Sequence, residues 1–245
     1  MPTPISLAAG IRRRIVAAVL PQDCVLCGRS GAYRPHAVRH AMLCEACHAD
    51  LPYLPRPGCP VCALPTSGGS LCGRCVASPP RFDATFAALA YRYPIEQLMQ
   101  YYKYRSGVAV GALLGTLLDA AIPAQPNIDC IGFIPLSRER LAERGFNQAM
   151  EIARPLARAR GIALRSDLAI RVRHTGAQAD LPFAARRKNV RGAFACAEDL
   201  SGLRIAVVDD VMTTGATLDE FAKTLKKRGA ARVENWVVAR ALFKN

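Results

Sequence analysis

The stretch that decides the fold is IAVVDDVMTTGAT, residues 205–217. Residues 203–208 are apolar and valine-rich, the composition of a strand buried on both faces of a parallel sheet. Asp209 and Asp210 follow at its carboxyl end, and then come Thr213, Thr214, Gly215, Ala216 and Thr217. Leu218, Phe221, Ala222 and Leu225 recur at helical spacing and stop near Gly229, so the TTGAT segment joins strand to helix. Open parallel sheets bind ligands at such junctions. Free N–H groups at the helix start favour an anion, Gly215 allows close approach, and the threonine hydroxyls add donors. The two carboxylates can accept hydrogen bonds from sugar hydroxyls or help hold a divalent cation. Successive strand residues face opposite sides, so the pair cannot do identical work. The whole string predicts a sugar-phosphate site rather than a solvated turn with a helix cap.

Upstream, strand-like and helix-like patterns alternate. Residues 82–93 and 128–134 read as strands, and 94–104, 108–122 and 146–160 as helices, which together predict a parallel α/β sheet. Pro155 falls inside the last helix and predicts a kink or an early end there.

The cysteines make a second strong pattern. Cys24, Cys27, Cys44 and Cys47 form CxxC-x16-CxxC, and Cys59, Cys62, Cys72 and Cys75 form CxxC-x9-CxxC. Eight of the 10 cysteines are thus in metal-ligand pairs, which predicts a double zinc ribbon with two structural sites. With four thiolates on each ion, neither zinc keeps an open position for catalysis. The first four and last four cysteines can pair sequentially, or the pairs can interleave as a cross-brace; the spacing allows both. His36, His40 and His48 lie nearby and read as surface residues beside a complete cysteine set. Residues 21–80 are rich in Pro, Gly and Cys and poor in apolar mass, so metal binding has to supply much of that module's folding energy.

VVDDVMTTGAT closely resembles the phosphoribosyl pyrophosphate (PRPP) signature of type I phosphoribosyltransferases. The paired CxxC region, IPLSRERLAERGFNQA (residues 134–149) and RVRHTGAQADLPFAARRKNVRGAF (residues 171–194) resemble the ComF, competence protein F-like, family over nearly the whole chain. The resemblance implies a PRPP site built from Asp209, Asp210, Thr213, Thr214, Gly215, Ala216 and Thr217, with Mg²⁺ held through PRPP and the two aspartates. It places residues 135–138 against the pyrophosphate, with Arg138 and Arg144 close by. A mobile loop between residues 173 and 189 would carry Gln178, Arg186 and Asn189. Guanidinium groups suit this place because they grip phosphate oxygens in bidentate fashion. The implied organisation is an amphipathic N-terminal helix (residues 1–20), the double zinc ribbon (21–80) and a phosphoribosyltransferase-like α/β domain (81–245).

The 245 residues carry a formal net charge of +14, which two zinc–tetrathiolate sites would reduce without abolishing. Such an excess favours phosphate-bearing partners, nucleic acid among them. Tyr91, Tyr93, Tyr101, Tyr102 and Tyr104 interleave with Arg92, Lys103 and Arg105, a pattern that fits base stacking or a partly buried helix. The best apolar run, residues 106–118, stops at Asp119, short of the roughly 20 residues a transmembrane helix needs. Reduced, metal-binding thiols point to the cytoplasm. Two functions follow. One is a PRPP- and Mg²⁺-binding ComF-like protein that handles single-stranded DNA during natural transformation, with DNA-uptake machinery as partner. The other is an active phosphoribosyltransferase of nucleotide or related metabolism, whose acceptor these residues do not specify.

Overall fold

The computed structural model describes residues 23–29, 42–104, 108–173 and 188–242. The expected N-terminal helix, His36 and His40 lie outside the described residues. The chain divides into two compact units, Met1–Leu51 and Pro52–Asn245. The first holds the first cysteine cluster and a short helix α1 (Glu45–Ala49). The second begins with the second cluster and its helix α2 (Gly73–Ala77). It continues through β1 (Ala84–Ala90), α3 (Ile95–Tyr104), α4 (Val108–Asp119), β2 (Cys130–Phe133), α5 (Arg138–Arg144) and α6 (Gln148–Arg160). After β3 (Ala163–Leu164), β4 (Ile170–Arg171) and β5 (Phe194–Ala195) come β6 (Arg204–Met212), α7 (Ala216–Lys226) and β7 (Arg232–Arg240).

Five strands form one sheet in the order β1-β7-β6-β2-β3, and each pairing is parallel. β4 and β5 form a separate antiparallel pair. Central β6 pairs with β7 from Arg204↔Arg232 to Met212↔Arg240, and with β2 from Cys130↔Ile205 to Phe133↔Val208. Its residues Ile205, Ala206, Val207 and Val208 are fully buried, as their continuous apolar run requires. The strand runs on past the apolar residues through Asp209, Asp210 and Val211 to Met212. The two aspartates therefore lie within the ladder rather than beyond it, because pairing with β7 persists where hydrophobicity has stopped.

Pro155 neither ends nor shortens α6, which is unbroken from Gln148 to Arg160. Proline deprives the Glu151 carbonyl of its usual helical donor. That carbonyl lies against Gly111 of α4, where a Cβ would come within 3.1 Å of it, and a Cβ on Gly115 would meet the Ile152 carbonyl at 3.0 Å and the Pro155 ring at 3.3 Å. Two glycines one turn apart thus let α4 lie directly on the proline-bearing face of α6.

This contact sets two effects in opposition. In an exposed helix, Gly→Ala gains about 1 kcal/mol of propensity, whereas overpacking here costs about 1–3 kcal/mol. Gly115→Ala is expected to lower the urea midpoint at unchanged slope; a raised midpoint would mean that α4 moves freely off α6.

Candidate functional site

Each cysteine cluster gathers its ligands in sequence order. Cys24, Cys27, Cys44 and Cys47 form one set and Cys59, Cys62, Cys72 and Cys75 the other, with all ligand atoms of a set within 4.8 Å of one another. The pairing is sequential, not a cross-brace. Thiolates about 2.3 Å from a tetrahedral Zn²⁺ lie roughly 3.8 Å apart; the Cys27–Cys44 sulfurs are 3.8 Å apart and the Cys62–Cys72 sulfurs 3.5 Å. The donor sets fit structural zinc. In each set, burial works against ionising the leading thiol, yet backbone hydrogen bonds outweigh it. Those from Cys44, Cys27 and Leu26 bring Cys24 down to about 6, and those from Cys72, Cys62 and Val61 bring Cys59 down to about 7. Burial first, and the neighbouring cysteines after it, push Cys47, Cys62 and Cys75 the other way, so a cation has to displace their protons as it binds.

The second candidate site lies at the carboxyl end of β6. Asp209 Oδ1 accepts the Asp210 N–H at 2.9 Å, and Asp210 Oδ1 accepts the Val211 N–H at 2.7 Å. Asp210 Oδ2 pairs with Lys103 Nζ of α3 at 3.2 Å. Burial and the neighbouring Asp210 charge push the Asp209 carboxyl well above the ordinary carboxylate range, while the Asp210 N–H and then Lys103 pull it back. The Asp210 charge in turn raises Lys103, and Arg144 repels it. Arg171 on β4 is close enough to feel both Arg140 and Asp209; burial lowers its basicity first, and its guanidinium lies 5.6 Å over the Phe194 ring.

The strand then turns through Thr213, Thr214 and Gly215 into α7. Gly215 has φ 84°, a conformation that favours glycine, while a Cβ there would meet only the movable end of the Met212 side chain at 2.7 Å. The Ala216 N–H donates to Thr214 Oγ1 at 3.2 Å. The carbonyls of Met212, Thr213 and Thr214 all accept guanidinium hydrogen bonds, from Arg240 Nη1 in the first two cases and from Arg74 Nη2 at 3.1 Å in the third. In a planar trans peptide the N–H points opposite to the C=O. The N–H groups of Thr213, Thr214 and Gly215 therefore lie on the side of their peptides away from these arginines. Thr217 stands in the first turn of α7.

Arg138 and Arg144 open and close α5, which starts at the Ser137 cap just after β2. Arg138 is exposed, whereas Arg144 is half-buried and donates to Gln148 Oε1 at 3.0 Å. The GFNQ residues that follow turn the chain from α5 to α6. Gly145 closes α5 at φ 74°, and Asn147 caps α6 while donating to the Ile134 carbonyl at 3.0 Å, which pins the turn to the end of β2. Asn189 is half-buried, and Gln178 and Arg186 lie outside the described residues.

The tyrosine-and-lysine pattern divides. Tyr102 is fully buried and donates to the Gln148 carbonyl at 2.9 Å, and Lys103 is committed to Asp210, so neither belongs to an outer stacking face. Tyr93 and Tyr101 are exposed. Lys103 and Arg171 are the site residues that sequence reasoning did not place, since no spacing links residue 103 to residue 210. Among the described residues, no helix is long and apolar enough to cross a membrane.

Residues 15–76 match the double zinc ribbon domain, and residues 141–242 match the phosphoribosyl transferase domain. The chain is 35% identical over 231 residues to the DNA utilization protein YhgH of Salmonella typhi, covering 91% of this chain and 99% of that protein. It is 34% identical over 179 residues to competence protein F of Haemophilus influenzae, covering 69% and 78%. Among solved structures, the allosteric regulatory enzyme of purine biosynthesis aligns over 56% of this chain and 29% of that chain, at 23% identity and a TM-score of 0.39.

The Lys103 contact has a measurable consequence. In Lys103→Met the Asp209 carboxyl loses a cation that draws it downward, so it should titrate at higher pH than in the parent, read from carboxyl ¹³C shifts. Identical titrations would show that Lys103 does not act on the pair.

Proposed function

The chain belongs to the ComF family of double-zinc-ribbon, phosphoribosyltransferase-domain proteins, and from that premise we propose that it binds PRPP as its Mg²⁺ complex and serves in single-stranded DNA handling during natural transformation. The observation that carries the ligand assignment is the junction of β6 and α7, where two carboxylates run directly into a loop whose three consecutive carbonyls are taken by Arg240 and Arg74, leaving the N–H groups on the opposite side of each peptide. In this reading residues 213–217 take the sugar 5-phosphate. Asp209 and Asp210 take the ribose hydroxyls and help hold Mg²⁺, which characteristically binds one or two carboxylates together with phosphate oxygens. Arg138 and Arg144 face the pyrophosphate. Gln178, Arg186 and Asn189 belong to the loop that closes over it. Binding requires ionised carboxylates, so affinity should fall as pH drops through the raised Asp209 titration. Lys103 occupies Asp210 until the cation and ribose compete for it.

Titration calorimetry of the zinc-loaded protein with PRPP, with and without Mg²⁺, tests this reading. Saturable, Mg²⁺-dependent binding is expected, weakened at least about tenfold in Asp210→Asn or Thr214→Ala, because each removes a charged or hydroxyl partner worth about 1.5 kcal/mol or more. Equal affinity in parent and variants would sink the assignment.

The relatives' names, DNA utilization protein and competence protein F, favour the DNA role, and the strongly basic chain is suited to a polyanion. Tyr93 and Tyr101, exposed at the start and on the surface of α3 beside exposed Arg92, offer faces for bases. Single-strand affinity is expected to fall steeply with salt, and Tyr93→Ala with Tyr101→Ala should weaken it, each stacked base contributing about 1–3 kcal/mol; a flat salt response would remove the DNA role. The second reading is an active phosphoribosyltransferase, in which an acceptor nucleophile bonds to the ribose anomeric carbon as its bond to pyrophosphate breaks. The protein's part would be positioning and charge stabilisation. Pyrophosphate released in the presence of an acceptor separates this reading from ligand binding alone.

A further inference from the structure

The second cysteine cluster does not stand apart from the phosphate loop. Arg240, at the end of β7, is fully buried. Its Nε donates at 2.8 Å to the carbonyl of Cys62, a zinc ligand, while its Nη1 donates to the carbonyls of Met212 at 2.9 Å, of Ala241 at 2.8 Å, and of Thr213. Arg74, which takes the Thr214 carbonyl, sits on α2 between the ligands Cys72 and Cys75. Two guanidinium groups thus connect ligand-bearing backbone to three consecutive loop carbonyls. Cys59, Cys62 and Cys75 also share one apolar cluster with Phe82 and Met212. Beside these links a cavity of about 240 Å³ is lined by Cys62, Arg74, Cys75, Met212, Thr214 and Gly215, so the loop has room to shift once its anchors go.

We propose that the second zinc site is the mechanical support of the phosphate loop, with Arg240 and Arg74 as positioning residues that hold the three loop carbonyls on the ribbon side and thereby orient the N–H groups of Thr213, Thr214 and Gly215 for the sugar phosphate. Zinc on Cys62, Cys72 and Cys75 fixes the backbone from which both arginines act. Metal loss frees that backbone, and the three peptides lose the constraint that aligns them. The zinc takes no part in chemistry, yet its presence sets how well the loop is preorganised for an anion. This inference rests on the PRPP reading for the identity of the ligand, but not for the coupling itself.

Arg240→Lys is the obvious variant and, being buried, it risks the fold. Arg74→Ala removes an exposed side chain and leaves all four thiolates in place. The experiment uses the full-length, zinc-loaded chain. Zinc content is measured by mass spectrometry, ¹⁵N order parameters are taken for Thr213, Thr214 and Gly215, and PRPP with Mg²⁺ is titrated calorimetrically. The parent loop should be rigid, with order parameters near about 0.85, and fall below about 0.6 in Arg74→Ala and in chelator-treated parent, while residues of β2 stay unchanged. Arg74→Ala should keep its zinc and bind PRPP about tenfold more weakly. Loop order parameters equal to those of the parent in both samples would overturn the coupling. If the loop loosens as expected and the parent protein does not bind PRPP, the coupling stands and the PRPP reading fails. If PRPP binds equally to parent and variant with an unchanged loop, the PRPP reading survives and the coupling fails.

Discussion

Parallel pairing of β6 with β7 along nine residues is the constraint on which the site depends. Sliding β6 along its partner would carry Arg204 or Asp209 into positions buried on both faces, so the register from Arg204↔Arg232 to Met212↔Arg240 is held by the charged residues that bound the buried run Ile205 to Val208. Because the ladder continues beyond that apolar stretch, it carries two acidic residues into the end of the sheet. The same pairing delivers Arg240 beside Met212, opposite the start of the loop. Acid pair, loop and buried guanidinium are all consequences of one register.

The charges that register imports have to be answered locally. Asp209 and Asp210 are adjacent, and burial together with mutual repulsion raises Asp209. Lys103 reaches them from α3, and Arg144 and Arg171 stand near enough to be felt. A cationic surround of this kind suits a site whose ligand brings its own negative charge and its own metal ion. α5, which supplies Arg144, is placed by Gly145 and Asn147, which turn it sharply into α6 against the end of β2, and α3, which supplies Lys103, is tied to the start of α6 by the Tyr102 hydroxyl on the Gln148 carbonyl.

Buried Arg240 directs its guanidinium at backbone carbonyl oxygens. Burial lowers its basicity, a cost that the hydrogen bonds to Cys62, Met212, Thr213 and Ala241 offset. One side chain thereby joins metal module, sheet and loop, which gives the second zinc ribbon a reason to be packed on this domain beyond its own stability.

By itself, the sequence determined the parallel α/β class, the strand–loop–helix junction at residues 205–217 and the two four-cysteine zinc ribbons, because apolar periodicity and ligand spacing are local properties of a chain. It pointed to α6 and to a kink or an early end at Pro155; the helix does not end there, and the freed Glu151 carbonyl lies against a glycine on another helix. It left the ribbon pairing open, since spacing permits both sequential and interleaved sets. It grouped Lys103 with an outer tyrosine face. Only the tertiary structure decided that the cysteines pair sequentially, that Lys103 turns inward to Asp210, and that Arg74 and Arg240 hold the loop carbonyls. These partners lie up to 140 residues apart in the chain, and no local pattern encodes a distance that only folding makes short.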